Sequence, residues 1–390
     1  MTDVLKRIWL IGLREVKQFL HRPMFIFCML LAPIATLIFF NRLMNEGVPT
    51  KLPCGVVDED NTTTTRSIVR ILSAMEYTNV RAHYANFADA RKAMQRGEIM
   101  AFFYIPHGMT DKALSSRRPE ITFYTNDCYY IMGSLLMKDM KVTSELAGLA
   151  VTRASLQGKG VPTSLMMGIL QPIVIETHPL NNPTLNYAVY LNNIAVPGIL
   201  LIIIMVFTAY KIGLEWKNNT QKELLNMAGD SVTIALAGKL WPQTLLFSLL
   251  FTLIDVCLYK YLAFPCHSGI LRMICLGILT TVATESLSIF FYGIFMQLRL
   301  SMSACALLGV LQISVSGFTF PVTAMPWIFQ KLCVIIPLRH YYVIYCNQAL
   351  NGFPLAHVWP SVVALLIMCL LPLTVLWRFR YAFYHVKYKP

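Results

Sequence analysis

Six predominantly apolar runs, each long enough to cross a bilayer as a helix, fix the class of this chain before any motif is considered. A helix crossing a ~30 Å hydrocarbon core needs ~20 such residues. The runs extend over about Pro23 to Phe40, Ala188 to Tyr210, Trp241 to Leu262, Leu271 to Gln297, Met302 to Phe320 and Val358 to Trp377. Charged residues make up 14% of the chain and hydrophobic ones 56%, whereas soluble domains carry ~25% charged residues. A wholly soluble enzyme and a disordered chain are both excluded. A further apolar piece, Trp327 to Tyr345, is broken by Pro337 and carries Arg339 and His340; it reads as re-entrant or interfacial. The expected fold is a polytopic α-helical membrane protein, with six transmembrane helices plus an extracytoplasmic α/β domain. Its parts are an interfacial helix over 1–22, a first span over 23–42, the α/β domain over 43–187, spans two to six over 188–377, and a tail over 378–390. Within the spans, 211–240 is expected as a cytoplasmic loop and 321–345 as the re-entrant region.

Positive charge sets orientation. Lys6, Arg7, Arg14, Lys17 and Arg22 precede the first span. Lys211, Lys217, Lys222 and Lys239 follow the second, Arg299 follows the fourth, and Arg378, Arg380, Lys387 and Lys389 close the chain. With six spans all of these share one face, which makes both termini cytoplasmic and puts the insert on the far side. Lys260 and Arg272 are mild exceptions. The net charge of +13 is gathered at the ends of apolar runs, which fits a lipid bilayer and not nucleic acid. Residues 3–20 have a helical period. Asp3, Lys6, Arg7, Arg14, Lys17 and Gln18 share one sector, and Leu5, Ile8, Trp9, Gly12, Val16, Phe19 and Leu20 the other; Leu10 and Glu15 do not fit. Such a helix suits the headgroup plane.

Between the first two spans the sequence alternates strand-like and helical stretches, enough for an α/β domain with a small core of its own. Thr62–Thr65 reads as a helix N-cap region. The run Phe123 to Tyr130 is either a ligand ledge or, as strand aromatics more often are, core and edge. Cys54 and Cys128 lie in this insert and either bridge, if it faces an oxidising space, or stay free thiols.

Asp255 and Glu285 fall inside the third and fourth runs. Intramembrane acids default to a functional reading, such as proton coupling. The structural alternative has Glu285 bonding Thr280, Thr281 or Thr284 on its own helix and Asp255 pairing with Lys260. The histidines lack ligand spacing, so no metal is expected. Gly238-Lys239 is followed by Leu240 without the glycine spacing of a phosphate-binding loop, so the chain itself is expected to be no enzyme.

Four segments resemble, in order, the permease subunits of type-2 ABC exporters. They are Val56-Val-Asp-Glu-Asp60; Pro179-Leu-Asn-Asn-Pro183 followed by Ile194-Ala-Val-Pro-Gly198; Glu215-Trp-Lys-Asn-Asn-Thr220-Gln-Lys-Glu223 ending at Gly238-Lys239; and Ser316-Gly317 through Pro321 and Met325-Pro326 to Pro337-Leu-Arg339. The pattern departs from the family at Asn219, where Gly usually precedes Thr220, and at Trp216-Lys217. The resemblance implies a loop helix near Asn218 to Met227 that docks on a separate ATPase, with Glu215, Lys217, Thr220 and Glu223 in the contact. It implies Gly317, Pro321 and Pro337 as bends near an outer gate. It also implies ATP and Mg bound by two ATPase copies, a second permease copy or a similar permease, an optional periplasmic adaptor, and a bacterial inner membrane. The rival readings are a proton-coupled carrier using Asp255 and Glu285, and a membrane-anchored sensor using the insert.

Overall fold

The computed structural model describes every residue except 1, 116, 118, 159, 172–177, 179, 184–185, 387 and 389–390. The motif residue Pro179 and the tail residues Lys387 and Lys389 therefore lie outside the described residues. The chain forms two compact units: Met1–Gly47 together with Pro179–Pro390, and Val48–His178.

The first unit holds six helices long and apolar enough to cross a membrane: Pro23–Leu43, Tyr187–Lys217, Val232–Tyr261, Ile270–Phe295, Leu298–Val315 and Leu355–His385. Spans two and four are the most enclosed, 67% and 61% buried against 22% for the first and sixth. The outer spans accordingly present bare leucines such as Leu366, Leu370 and Leu373. Small residues let the helices close on one another. A side chain at Gly293 would meet Val375 at 2.6 Å, and one at Gly213 would meet Tyr292 at 3.0 Å. The expected loop over 211–240 needs correction. The second span runs on to Lys217 and the third starts at Val232, leaving only residues 218–231 to connect them. Lys211, Glu215 and Lys239 read as loop charges but lie within helices, because each finds an opposite charge there. The expected re-entrant stretch contains two short helices, Trp327–Cys333 and Pro337–Tyr345. Pro337 opens the second of these, where a missing N–H costs nothing.

The second unit is built of helices on a four-stranded sheet. Its strands are β1 (Leu52–Asp58), β2 (Thr78–Tyr84), β3 (Ala101–Ile105) and β4 (Thr122–Thr125), in the order β2-β1-β3-β4. β1 runs parallel to β2 and β3, and β4 antiparallel to β3. The parallel pairs are connected through helices Thr63–Ser73 and Phe87–Gln95, as parallel strands require. Central β1 is buried on both faces at Cys54, Val56 and Val57. Thr62 caps the first helix in a reciprocal pair with Thr65. The strand part of the aromatic run packs in the sheet: Tyr124 stacks on Phe102 at 4.8 Å and meets Phe87 edge-on. Tyr129 and Tyr130 stay exposed. Cys54 is buried and Cys128 exposed, both as free thiols. Burial pushes the Cys54 thiol up to about 12.

Candidate functional site

The N-terminal helix, Thr2–His21, has three faces rather than two. Ile8, Ile11, Gly12, Glu15 and Phe19 recur at helical spacing, and at their centre Ile11, Gly12 and Glu15 are buried. Contact with the third span is close. A side chain at Gly238 would meet Ile11 at 2.8 Å, and one at Gly12 would strike Trp241. Trp9 stacks on Trp241 at 5.3 Å. Leu5, Trp9, Leu13, Val16 and Leu20 remain exposed beside this seam, and the basic residues form the third face. The apolar sector read from sequence thus divides into a packing face and a bare apolar face. Glu15, the misfit of that pattern, is the centre of the packing face.

Glu15 is 1% exposed. Lys239 Nζ lies 2.9 Å from its Oε1 and Lys211 Nζ 3.1 Å from its Oε2. Lys239 also donates to Glu215 at 2.6 Å. Arg14 grips Glu215 with both guanidinium ends, at 3.2 and 3.1 Å. Five charged groups from the N-terminal helix and spans two and three are thereby locked into one cluster. Burial pushes the Glu15 carboxyl up, but Lys239 and Lys211 outweigh it and hold the group below its ordinary value. Each of these charges left unpaired at this depth would be costly, so the cluster fixes how the three helices sit together.

The expected coupling residues divide around it. Glu215 is buried in the cluster and does not present its charge to a partner, which corrects its place in a surface contact. Thr220 donates its hydroxyl to Glu215. Lys217 and Glu223 are exposed, with Lys222 beside them. The loop helix is Gln221–Met227, seated by buried Leu224 and Leu225 among Trp216, Phe379 and Phe383. Arg7 of the N-terminal helix lies over Gly229, and Tyr384 donates to Asp230 at 3.3 Å. Asn219 has φ +58°. This left-handed conformation is the one glycine supplies and asparagine tolerates, so Asn219 fits the backbone where the Gly-Thr pattern has glycine.

The intramembrane acids also differ from expectation. Glu285 does not bond the threonines of its own helix. Thr280, Thr281 and Thr284 donate to the carbonyls of Leu276, Gly277 and Thr280. Glu285 instead accepts from Gln243 Nε2 at 3.1 Å and from the Thr244 hydroxyl, both on the third span. Gln243 also reaches Thr208 on the second. Asp255 is fully buried, and neither oxygen has a hydrogen-bond partner among the described residues; Lys260 is exposed and does not pair with it. At the end of the fifth span Gly317 has φ +96°, and a side chain there would meet Arg339 at 2.6 Å and Val322 at 2.8 Å. Only glycine satisfies both constraints. Arg339 donates to the Ser316 carbonyl at 3.1 Å, tying this bend to the helix that Pro337 opens. Pro321 follows the bend and caps a short 3₁₀ turn over Val322–Ala324.

Arg14, Glu15 and Lys211 were not among the site residues read from the sequence. The only available signal was Glu15 itself, an acid inside an apolar helical sector. No curated protein matches the chain. A family model described as ABC-2 family transporter protein matches residues 23–378, and with its six candidate spans the chain belongs to that family, as a multi-pass membrane component of an ABC transporter.

Proposed function

We propose that this chain is the membrane subunit of an ATP-driven exporter of a small molecule or amphiphile. Two copies of a separate ATPase bind ATP and Mg and dock on residues 218–231. A second permease copy, or a similar permease, completes the pathway. The termini are cytoplasmic, in the inner membrane of a bacterium, and residues 48–178 lie on the opposite side, where they guide substrate or meet an adaptor. The observation that carries this reading is the loop helix Gln221–Met227. Its outward side offers Lys222 and Glu223 to a partner, with Lys217 exposed beside it at the end of the second span, while its inward side is fastened to the bundle. A push on this helix reaches Glu215 through Thr220. From Glu215 it reaches Lys239 and Arg14, and so moves spans two and three and the N-terminal helix as one body. Bends at Gly317, Pro321 and Pro337 give the far end of the bundle places to open.

The test is purification of the tagged chain from its native membrane in mild detergent. A P-loop ATPase is expected to accompany it, and to be lost from the variant Lys217→Glu/Lys222→Glu/Glu223→Lys while the permease keeps its thermal stability. Preparations reproducibly free of an ATPase would overturn the reading. A proton-coupled carrier is favoured by one observation, the buried Asp255 without a hydrogen-bond partner among the described residues, and would show itself as transport driven by a pH gradient without ATP.

A further inference from the structure

Spans three, four and six enclose a groove of about 870 Å³. Leu236, Leu240, Leu245, Ile278, Leu373 and Leu376 are among the apolar residues of its walls. Leu245 and Leu373, at its opening, are 52% and 60% exposed, so the groove opens onto the apolar face that a bilayer covers. Pro372 lines it on the sixth span; with no N–H to donate, proline interrupts the ladder that would otherwise draw that helix straight. In this apolar wall stand Glu285 and Thr244.

Glu285 is charge-complementary to one kind of occupant. Its two hydrogen-bond donors, Gln243 and Thr244, are neutral. Among the described residues no Lys, Arg or His lies within ion-pair distance of it. Lys211, the cation whose field reaches it, is committed to Glu15 at 3.1 Å. Each carboxylate oxygen keeps acceptor capacity beyond the single bond it receives. A cation arriving from the bilayer would supply the missing partner, and the leucine walls suit an alkyl chain. An anionic head would face an acid across low-dielectric surroundings and be repelled.

We infer that this groove binds single-chain lipophilic amines from the bilayer, with the ammonium on Glu285 and the chain along Leu236, Leu240 and Leu376. The site lies on one subunit and needs neither ATP nor a partner, so it stands or falls independently of the exporter reading.

Trp241 lines the groove and reports on it. The purified chain in lipid nanodiscs is titrated at neutral pH with a protonated primary bromoalkylamine, whose bromine quenches tryptophan on contact, and with the bromoalkyl sulfate of equal chain length. The ammonium is expected to quench saturably, and the quenched component to vanish in Trp241→Phe. Half-saturation is expected about tenfold weaker in Glu285→Gln, the loss corresponding to one partly buried ion pair. Ala237→Phe fills the groove from an exposed wall position and is expected to abolish quenching, which keeps the test decisive if the buried substitution misfolds. Equal quenching by the sulfate, an unchanged titration in a folded Glu285→Gln, or full quenching in Ala237→Phe or Trp241→Phe would each overturn the assignment.

Discussion

Neutralising Glu15 should unfasten the N-terminal helix more severely than removing Lys211, one of the two lysines that it holds. The asymmetry is worked from the distances. At an effective dielectric of ~20, two unit charges 3.1 Å apart attract by about 5 kcal/mol, against a burial penalty of several kcal/mol per ion. In Glu15→Gln, Lys239 keeps Glu215 at 2.6 Å, but Lys211 is left without a carboxylate within ion-pair distance among the described residues. Orphaning a buried charge costs about 3–5 kcal/mol. In Lys211→Met, Glu15 still has Lys239 at 2.9 Å and Arg14 at 3.7 Å, so the loss should be nearer ~1–2 kcal/mol. The double variant removes the orphan and should regain about 2 kcal/mol relative to Glu15→Gln, a coupling of the size seen for contacting residues. Equilibrium unfolding in mixed micelles by SDS titration, followed by tryptophan fluorescence, measures all three. A second signature is pH. The native Glu15 carboxyl is held below its ordinary value of 4.5, so its contribution is fully present above that pH and is lost as pH falls through the native value. Glu15→Gln should flatten that acid limb. Lys211→Met as damaging as Glu15→Gln, or a double variant no better than Glu15→Gln, would refute the reasoning.

Gly238→Val should destabilise by about 1–3 kcal/mol, the range for overpacking a close contact, because its side chain would enter the space of Ile11; the same SDS titration reads it. At Asn219, with φ +58°, Gly should be neutral and Val should cost about 1–2 kcal/mol, measured as a shift in the unfolding midpoint. In the native protein, a membrane-impermeant maleimide should label exposed Cys128 and leave buried Cys54 unreacted until unfolding. Labelling of Cys128 in intact cells would also locate residues 48–178 relative to the membrane.

The spans and the sheet were legible because each rests on a local pattern. Length and apolarity suffice for a span, and alternation of strand and helix for the α/β unit. Their ends were not legible where charges were involved. A charge ends a span on paper unless its partner is visible, and the partners of Lys239 are Glu15, 224 residues away, and Glu215, 24 away. Only the packing of three helices makes them neighbours. Similarly, Thr280 and Thr284 looked like partners for Glu285, but a helical threonine satisfies its hydroxyl on the carbonyl four residues back, as both do here. One expectation was correctable from the sequence alone. Residues five apart on an α-helix at 3.6 residues per turn are separated by about 140° around its axis, so regular helix geometry already turns Lys260 away from Asp255; the structure widens this last turn into a π-helix over Cys257–Tyr261, and Lys260 stays exposed. The same arithmetic applied to the N-terminal helix would have put Glu15 with Ile8, Ile11, Gly12 and Phe19, and an acid in the middle of such a seam requires a buried cation on whatever the seam packs against.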